Sequence, residues 1–213
     1  MPDRPPPPVA VLLPVKGFRD AKARLAPSLD PPARAALARE MATRVVRAAA
    51  PFPVAVVCDD DEVASWATTV GAEVVWRPGR GLNAAVADGV EHLAAIGVAR
   101  VVVAHADLPY ALDLGPVAAF DGITLVPDRH LDGTNVVCIP AGAGFRFAYG
   151  PGSFTRHRAE AGRLGLPVRV LEDARLGWDV DLPADLDPPT FAGAAALPGV
   201  AGTTGGARPT GSP

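Results

Sequence analysis

Short apolar segments alternate with amphipathic helical segments along the chain from residue 9 to about residue 171. The first, residues 9–15, is continuously apolar, which is typical of a strand buried on both faces of a sheet. Such alternation predicts an α/β fold with a mostly parallel central sheet and helices on both faces. The further predicted strands are residues 54–58, 73–76, 100–104, 123–126, 135–140 and 168–171.

Caps and apolar spacing mark the helices predicted between these strands. Asp30 followed by Pro31 favours a helix start, because the carboxylate can cap the first turn and proline lacks an N–H that would be unpaired there. Another apolar stripe begins at Leu82, and Gly97 is suited to end that helix. Further helices are predicted at residues 62–70 and from residue 153 to about residue 164. Three arginines of the first helix are predicted to point outward: Arg39, Arg44 and Arg47.

The length of the chain favours one domain. It has 213 residues, of which 49% are hydrophobic, which is enough for a single core. We expect that domain at residues 9–189. A proline-rich stub at residues 1–8 and a Gly/Ala/Pro-rich tail at residues 190–213 are expected to be disordered.

Charge and hydropathy exclude several classes of partner. A net charge of -3 and a pI near 5.8 give no broad basic surface for a nucleic-acid backbone. No apolar run approaches the roughly 20 residues that cross a bilayer, and residues 1–8 lack the apolar core of a signal peptide. Cys58 and Cys138 lie in apolar runs and are expected to be buried free thiols. The sequence predicts a cytoplasmic protein that binds neither nucleic acid nor membrane.

A basic loop follows the first predicted strand, at the strand end where parallel sheets bind their ligands. Residues 14–25 read PVKGFRDAKARL, in which Lys16, Lys22 and Arg24 could converge, and both lysines of the chain lie here. Such cations, with backbone N–H groups, can hold a triphosphate, although the GxxxxGK[ST] motif of a P-loop is missing. The alternative interpretation is a solvated surface loop.

Three carboxylates are candidate metal ligands. Asp107 follows the fourth predicted strand, and Asp179 and Asp181 point to one face if their segment is extended. Mg²⁺ prefers one or two carboxylates together with phosphate oxygens and water, which fits these positions. The alternative is that they cap turns, Asp181 in particular the short helix at Pro183.

Polar residues in glycine-containing turns are further candidates for substrate binding. Thr134 and Asn135 follow the fifth strand and bring a hydroxyl and an amide to that end. Gly150 and Ser153 lie where a Gly-rich turn enters a helix, which would present unpaired N–H groups to a phosphate. Ser153 would serve equally as an N-cap. Asn83, near the start of another helix, could contact a base or a ribose.

Together these segments resemble the phospholactate and phosphoenolpyruvate guanylyltransferases of coenzyme F420 biosynthesis. The resemblance implies a nucleotidyltransferase fold of the glycosyltransferase-A type, GTP as donor and Mg²⁺ as cofactor. It also implies that Thr134, Gly150 and Ser153 hold the phosphate and carboxylate of the acceptor, and that Asp107 and the Asp179/Asp181 pair lie in the metal region. The matching segments, in the family's order, are PVKGFRDAKARL, GLNAAV, ADLP, PDRHLDGTNVV, GPGSFTRH and DVDLPADL.

The reaction implied by the resemblance is transfer of GMP from GTP to phosphoenolpyruvate, with hand-over of the product to the downstream F420 transferase. 2-Phospho-L-lactate and 3-phosphoglycerate stay open as acceptors, because they carry a phosphate and a carboxylate at similar spacing. Nucleotidyltransferases of this fold that act on sugar phosphates or molybdopterin usually have a GxGxR loop, which PVKGFRDAKARL is not. A non-catalytic nucleotide-binding module is the alternative from another class.

Overall fold

A computed structural model describes residues 8–187 and residue 191. It contains a seven-stranded sheet with the strand order β3-β2-β1-β4-β6-β5-β7. The expected disordered segments lie outside the described residues, except for Pro8 and Phe191. The strands are β1 (Val9–Pro14), β2 (Val54–Cys58), β3 (Glu73–Trp76), β4 (Arg100–Ala104), β5 (Ile123–Pro127), β6 (Thr134–Pro140) and β7 (Val168–Val170).

Five α-helices and two 3₁₀ segments connect these strands within the described residues. The predicted start of the first helix is confirmed, because an Asp30 carboxylate oxygen accepts from the N–H of Ala33 at 2.8 Å. The helices are α1 (Pro31–Ala48), α2 (Asp61–Thr69), α3 (Leu82–Ala95), α4 (Gly115–Ala118) and α5 (Ser153–Arg163), and the 3₁₀ segments are Ala23–Leu25 and Pro183–Leu186.

The sheet is mostly parallel, as predicted, and β6 is the exception. It runs antiparallel to both β4 and β5. The cause lies in the tight turn between β5 and β6, where the Asp128 carboxylate accepts from the N–H groups of His130, Asp132 and Gly133. A turn this short can only join antiparallel neighbours, because a parallel connection needs a crossover of a dozen residues or more.

Helices cover both faces of the sheet. Val102 of β4 packs in a core cluster with α1, α2 and α4, whereas Val103 packs in a second cluster with α3 and α5. Strand residues alternate in direction, so a continuously apolar strand supplies both cores. Helix α3 lies especially close to the sheet, since a Cβ on Gly89 would lie 2.7 Å from a methyl carbon of Leu12. The glycine therefore allows α3 to lie tightly on β1.

Both cysteines are buried and free, as predicted. In the described part of the chain, no helix is long and apolar enough to cross a membrane.

Candidate active site

A cleft of about 780 Å³ opens at the carboxyl ends of β1, β2 and β4. Its walls come from the loop between β1 and α1, Asp59 and Asp60 after β2, residues 79–82 at the start of α3, and residues 105–107 after β4. This is the edge of the sheet at which the strand order predicts a ligand site. The cleft brings together three residues singled out from the sequence: Lys16, Lys22 and Asp107.

Lys22 joins the basic loop to the acidic residues. Its ammonium donates to Asp107 Oδ2 at 2.7 Å and to Asp181 Oδ1 at 2.8 Å. Burial alone would lower the pKa of Lys22, but the two carboxylates outweigh it and hold that pKa above its ordinary value. Lys22 has a left-handed backbone (φ 56°), and only 11% of its side chain is exposed. The local backbone thus turns this lysine inward toward residues far along the chain.

Asp107 has one paired and one unpaired oxygen. Its Oδ1 is buried and has no hydrogen-bond partner among the described residues. Burial alone would raise the pKa of Asp107, but the charges of Lys22 and His105 outweigh it and lower that pKa, so the carboxylate is ionised at neutral pH. An ionised, buried oxygen without a partner is suited to receive a cation.

Asp179 lies near the other two carboxylates. Burial raises its pKa, and the negative charges of Asp107 and Asp181 raise it further. The buried amide of Asn135 donates to the Leu176 carbonyl at 3.0 Å and approaches Asp179 Oδ1 at 3.5 Å, so Asn135 supports this segment. No group of three or more His, Cys, Asp or Glu side chains within residues 8–187 is gathered tightly enough to form a ready metal site. Lys22 instead lies between two of the carboxylates.

Arg129 anchors the segment that carries Asp179 and Asp181, a role that the sequence did not reveal. Its guanidinium donates to the Asp179 carbonyl at 3.0 Å, pairs with the Asp185 carboxylate and lies 4.3 Å from the Trp178 ring centroid. The other Asp185 oxygen accepts from the N–H of Asp181 at 2.8 Å. The alternative interpretation, in which Asp181 caps the short helix, is therefore wrong, because Asp185 provides the carboxylate there.

Thr134 and Ser153 lie together and are not among the residues that line the cleft. The N–H of Thr134 donates to Ser153 Oγ at 3.0 Å, and the Thr134 hydroxyl lies 3.0 Å from Nδ1 of His157. Each of these hydroxyl residues is 2% exposed. The structure thus pairs two of the predicted acceptor-binding residues and adds His157, which sequence spacing did not assign to a site.

The Gly-rich turn before α5 differs from the prediction of unpaired N–H groups. The N–H of Gly152 donates to the Asp132 carboxylate at 3.0 Å, that of Ser153 to the Gly150 carbonyl, and that of Phe154 to the Asp132 carbonyl. The prediction is wrong for these three groups, because the chain itself satisfies them.

The other sequence candidates lie at or near the cleft. The Asn83 side-chain oxygen accepts from the N–H of Tyr149 at 2.7 Å and so holds the segment before Gly150, which has φ 115°. The Tyr149 ring lies 4.8 Å from that of His105, a cleft residue whose N–H donates to the Asn135 carbonyl. His105 therefore connects the cleft with β6.

Lys16 and Arg24, from the same basic loop, are both exposed, but only Lys16 lines the cleft. Gly17 lies close to α2, because a Cβ there would lie 2.9 Å from Asp60 Oδ2. Asp60 caps α2 through the N–H of Val63 at 3.0 Å. The loop therefore passes directly over the start of α2.

Solved structures of low sequence identity share this fold. A putative nucleotide-diphospho-sugar transferase from Desulfovibrio desulfuricans superposes with a TM-score of 0.69 at 20% identity, covering 84% of each chain. A nucleotidyl transferase from Methanothermobacter superposes with a TM-score of 0.58 at 15% identity, covering 83% of this chain and 93% of that one. The predicted glycosyltransferase-A-like nucleotidyltransferase fold is confirmed.

Sequence comparison places the chain in a family. A family model described as "Guanylyl transferase CofC like" matches residues 9–194. The phosphoenolpyruvate guanylyltransferase of Sphaerobacter thermophilus is 35% identical, with 83% of this chain and 89% of that protein aligned. Its counterpart from Rubrobacter xylanophilus is 36% identical, with 84% and 91% aligned. The protein is therefore a nucleotidyltransferase and belongs to the CofC-like guanylyl transferase family.

Proposed function

We propose that the protein is a phosphoenolpyruvate guanylyltransferase, which moves GMP from GTP to phosphoenolpyruvate in coenzyme F420 biosynthesis. The products are enolpyruvyl-2-diphospho-5'-guanosine, which passes to the downstream F420 transferase, and pyrophosphate. The observation that carries the proposal is the convergence of Lys16, Lys22 and Asp107 in one cleft of a chain about 35% identical to enzymes named for this reaction.

The cleft has the size of a nucleotide site and contains two lysines that can face phosphates. Its volume of about 780 Å³ lies in the range of roughly 300–1,000 Å³ typical of small-molecule sites. Lys16 is exposed on its wall, and Lys22 lies at the end where the carboxylates meet. In this proposal Lys16, Lys22 and Arg24 offset the charge that grows on the departing pyrophosphate.

Asp107, Asp179 and Asp181 would hold Mg²⁺. The buried Oδ1 of Asp107, which has no partner among the described residues, supports this assignment, as do the burial and the nearby negative charges that raise the pKa of Asp179. When bound, the ion would neutralise phosphate charge and act as a Lewis acid on the reacting phosphate. Arg129 keeps Asp179 and Asp181 in position through the Asp179 carbonyl and Asp185.

The acceptor in this proposal is bound by Thr134, Gly150 and Ser153. One oxygen of its phosphate attacks the α-phosphorus of GTP in line, the bond between the α-phosphorus and the bridging oxygen breaks, and pyrophosphate leaves. Phosphate monoesters have a second pKa of about 6, so the attacking phosphate is already largely ionised at neutral pH and needs no strong general base. Catalysis then consists mainly of positioning and charge compensation.

The proposal is tested by pyrophosphate release from GTP and Mg²⁺ with phosphoenolpyruvate, 2-phospho-L-lactate or 3-phosphoglycerate. The downstream transferase and its deazaflavin substrate are included, so that a labile product is consumed. We expect release with phosphoenolpyruvate. Release with another of the acids alone would reassign the acceptor, and GTP binding without release for any acid would favour the non-catalytic module.

A further inference from the structure

His157 is buried on α5, and both of its ring nitrogens have partners. The N–H of Ala148 points to Nε2 at 2.9 Å, and Nδ1 lies 3.0 Å from the Thr134 hydroxyl. A backbone N–H can only donate, so Nε2 must be the unprotonated acceptor. The single proton of the neutral ring is then on Nδ1, and Nδ1–H donates to Thr134 Oγ1.

The surroundings of His157 keep its ring neutral. Burial lowers the pKa of His157 to about 4, and the positive charges of Arg156 and His105 act in the same direction, against a smaller opposing effect of Glu160. At neutral pH the ring therefore has one proton, and the Ala148 N–H determines which nitrogen carries it.

This tautomer determines whether the Thr134 hydroxyl accepts or donates in its hydrogen bond with His157. Because Thr134 Oγ1 accepts from His157, its own hydrogen is available, and it donates to no acceptor in the described part of the chain. The hydrogen of the Ser153 hydroxyl is available too. This hydroxyl accepts from the N–H of Thr134 and donates to none of the described residues. The hydroxyls of these two contacting residues thus each accept one hydrogen bond and donate none to the described residues.

The ring of Tyr149 packs against the same imidazole. The Tyr149 hydroxyl is buried and has no hydrogen-bond partner within residues 8–187 or at Phe191, and its ring lies 4.9 Å from that of His157. Buried polar groups are normally paired, so hydroxyl hydrogens without an acceptor among the described residues call for acceptors from outside the chain. Phosphate and carboxylate oxygens, which accept hydrogen bonds, meet this requirement.

We propose that His157 is a positioning residue for the acceptor, one that fixes the Thr134 hydroxyl as a hydrogen-bond donor toward an anionic group of the substrate. The inference rests on the proposed function, because it assigns this anionic group to the phosphorylated acid. His157 does not touch the reacting atoms. It acts through Thr134. The Ala148 N–H fixes the direction of the His157–Thr134 hydrogen bond, because it leaves the ring proton on Nδ1.

The test compares His157→Leu with His157→Asn, a pair of similar size. Asparagine keeps an N–H near the position of Nδ1, whereas leucine removes it. We expect His157→Leu to raise the KM for phosphoenolpyruvate roughly 10-fold, as for loss of one hydrogen bond to a charged group, with the KM for GTP unchanged. His157→Asn should stay within about 3-fold of the wild type. Equal effects of the two substitutions, or equal effects on both KM values, would overturn the inference.

Two further measurements keep the inference separate from the proposed function. The ¹⁵N spectrum of the histidine rings should show His157 with its proton on Nδ1, and a proton on Nε2 would contradict the proposal. If no acid supports turnover, the proposed function fails, and the Kd of inorganic phosphate decides the inference. That Kd should rise in His157→Leu but not in His157→Asn, and equal values in both would refute it.

If His157→Leu does not fold, Thr134→Val provides the second variant. It removes the hydroxyl and leaves the imidazole in place. The same selective rise in the KM for phosphoenolpyruvate, or in the Kd of inorganic phosphate, is expected. An unchanged value would show that the Thr134 hydroxyl does not bind the anion.

Discussion

The Lys22 ammonium lies 2.7 Å from Oδ2 of Asp107, a residue 85 positions further along the chain. This contact joins the loop after β1 to the end of β4, two neighbouring strands of the sheet. The same ammonium contacts Asp181, 159 positions away. One buried cation therefore ties three distant segments together at the cleft, and its removal should affect both stability and turnover.

Lys22→Met keeps most of the apolar stem and removes the charge. The Asp107 carboxylate then loses its partner in a partly buried place, so we expect the free energy of unfolding to fall by about 1–3 kcal/mol. Turnover should fall by about 10²-fold. Urea denaturation and pyrophosphate release measure the two effects. Arg47→Met, at an exposed position of α1, is the control and should change neither; equal losses in both variants would refute the role of Lys22.

Asp107→Asn and Lys16→Ala each remove one charge from the cleft. We expect each to lower turnover by about 10²-fold or more, by analogy with the loss of an electrostatic group that stabilises a transition state. Lys16 is exposed, so its substitution should leave the unfolding midpoint unchanged. Near-normal turnover in both variants would contradict the mechanism.

Arg129→Ala should weaken the response to Mg²⁺. Arg129 holds the segment of Asp179 and Asp181 through the Asp179 carbonyl and the Asp185 carboxylate. Loss of a residue that orients metal ligands typically costs about 10–100-fold in metal affinity, so the half-saturating Mg²⁺ concentration should rise by at least about 10-fold. Arg129→Lys should not restore it, because an ammonium cannot make the paired contacts of a guanidinium. An unchanged Mg²⁺ dependence would show that Arg129 has no such role.

His157 should make stability depend on pH. Its pKa is about 4 in the folded state, below the roughly 6.5 of an unfolded chain, so the unfolded state binds a proton first as the pH falls. The free energy of unfolding therefore decreases between about pH 6.5 and pH 4. From pH 7 to pH 5 the wild type should lose about 2 kcal/mol more than His157→Asn, measured by urea denaturation. Parallel pH curves would contradict a neutral, buried ring.

Two glycines of the cleft offer a matched test of stability. Gly17→Ala brings a Cβ to 2.9 Å from Asp60 Oδ2 and should displace this cap of α2. The expected cost is about 1 kcal/mol in the free energy of unfolding, as for a lost N-cap. Gly81→Ala meets no atom within 4 Å and has a negative φ of -67°, so it causes no clash, and the change at the N-cap of α3 should cost only about 0.5 kcal/mol. The two midpoints of denaturation, compared directly, check this difference.

Local sequence pattern predicted most strands well. The bounds of β2, β3 and β4 agree with the prediction, because each is a short apolar run that ends at a turn or a charged residue. The antiparallel direction of β6 was not predicted, since it depends on how the Asp128 side chain folds a six-residue turn. Arg44 was predicted to point outward, but it is half-buried and donates to the Pro109 carbonyl. Such contacts depend on tertiary packing.

The candidate site was predictable where strand ends define it. Lys22 and Asp107 follow adjacent parallel strands, so the sheet brings them to one edge whatever their separation in sequence. Arg129 and His157 had no comparable signal, because their roles arise from partners many residues away on other elements. Arg129 follows a strand and His157 lies on α5, and only their contacts identify these roles.

Isotope transfer tests the central claim most directly. The enzyme is incubated with Mg²⁺, phosphoenolpyruvate and GTP labelled at either the α- or the γ-phosphorus, together with the downstream transferase and its acceptor. The account predicts that the α label appears with the guanylylated acid or as GMP released by the downstream step, and that the γ label appears only in pyrophosphate. A γ label on the acid, with GDP as the other product, would contradict guanylyl transfer and indicate a phosphotransferase.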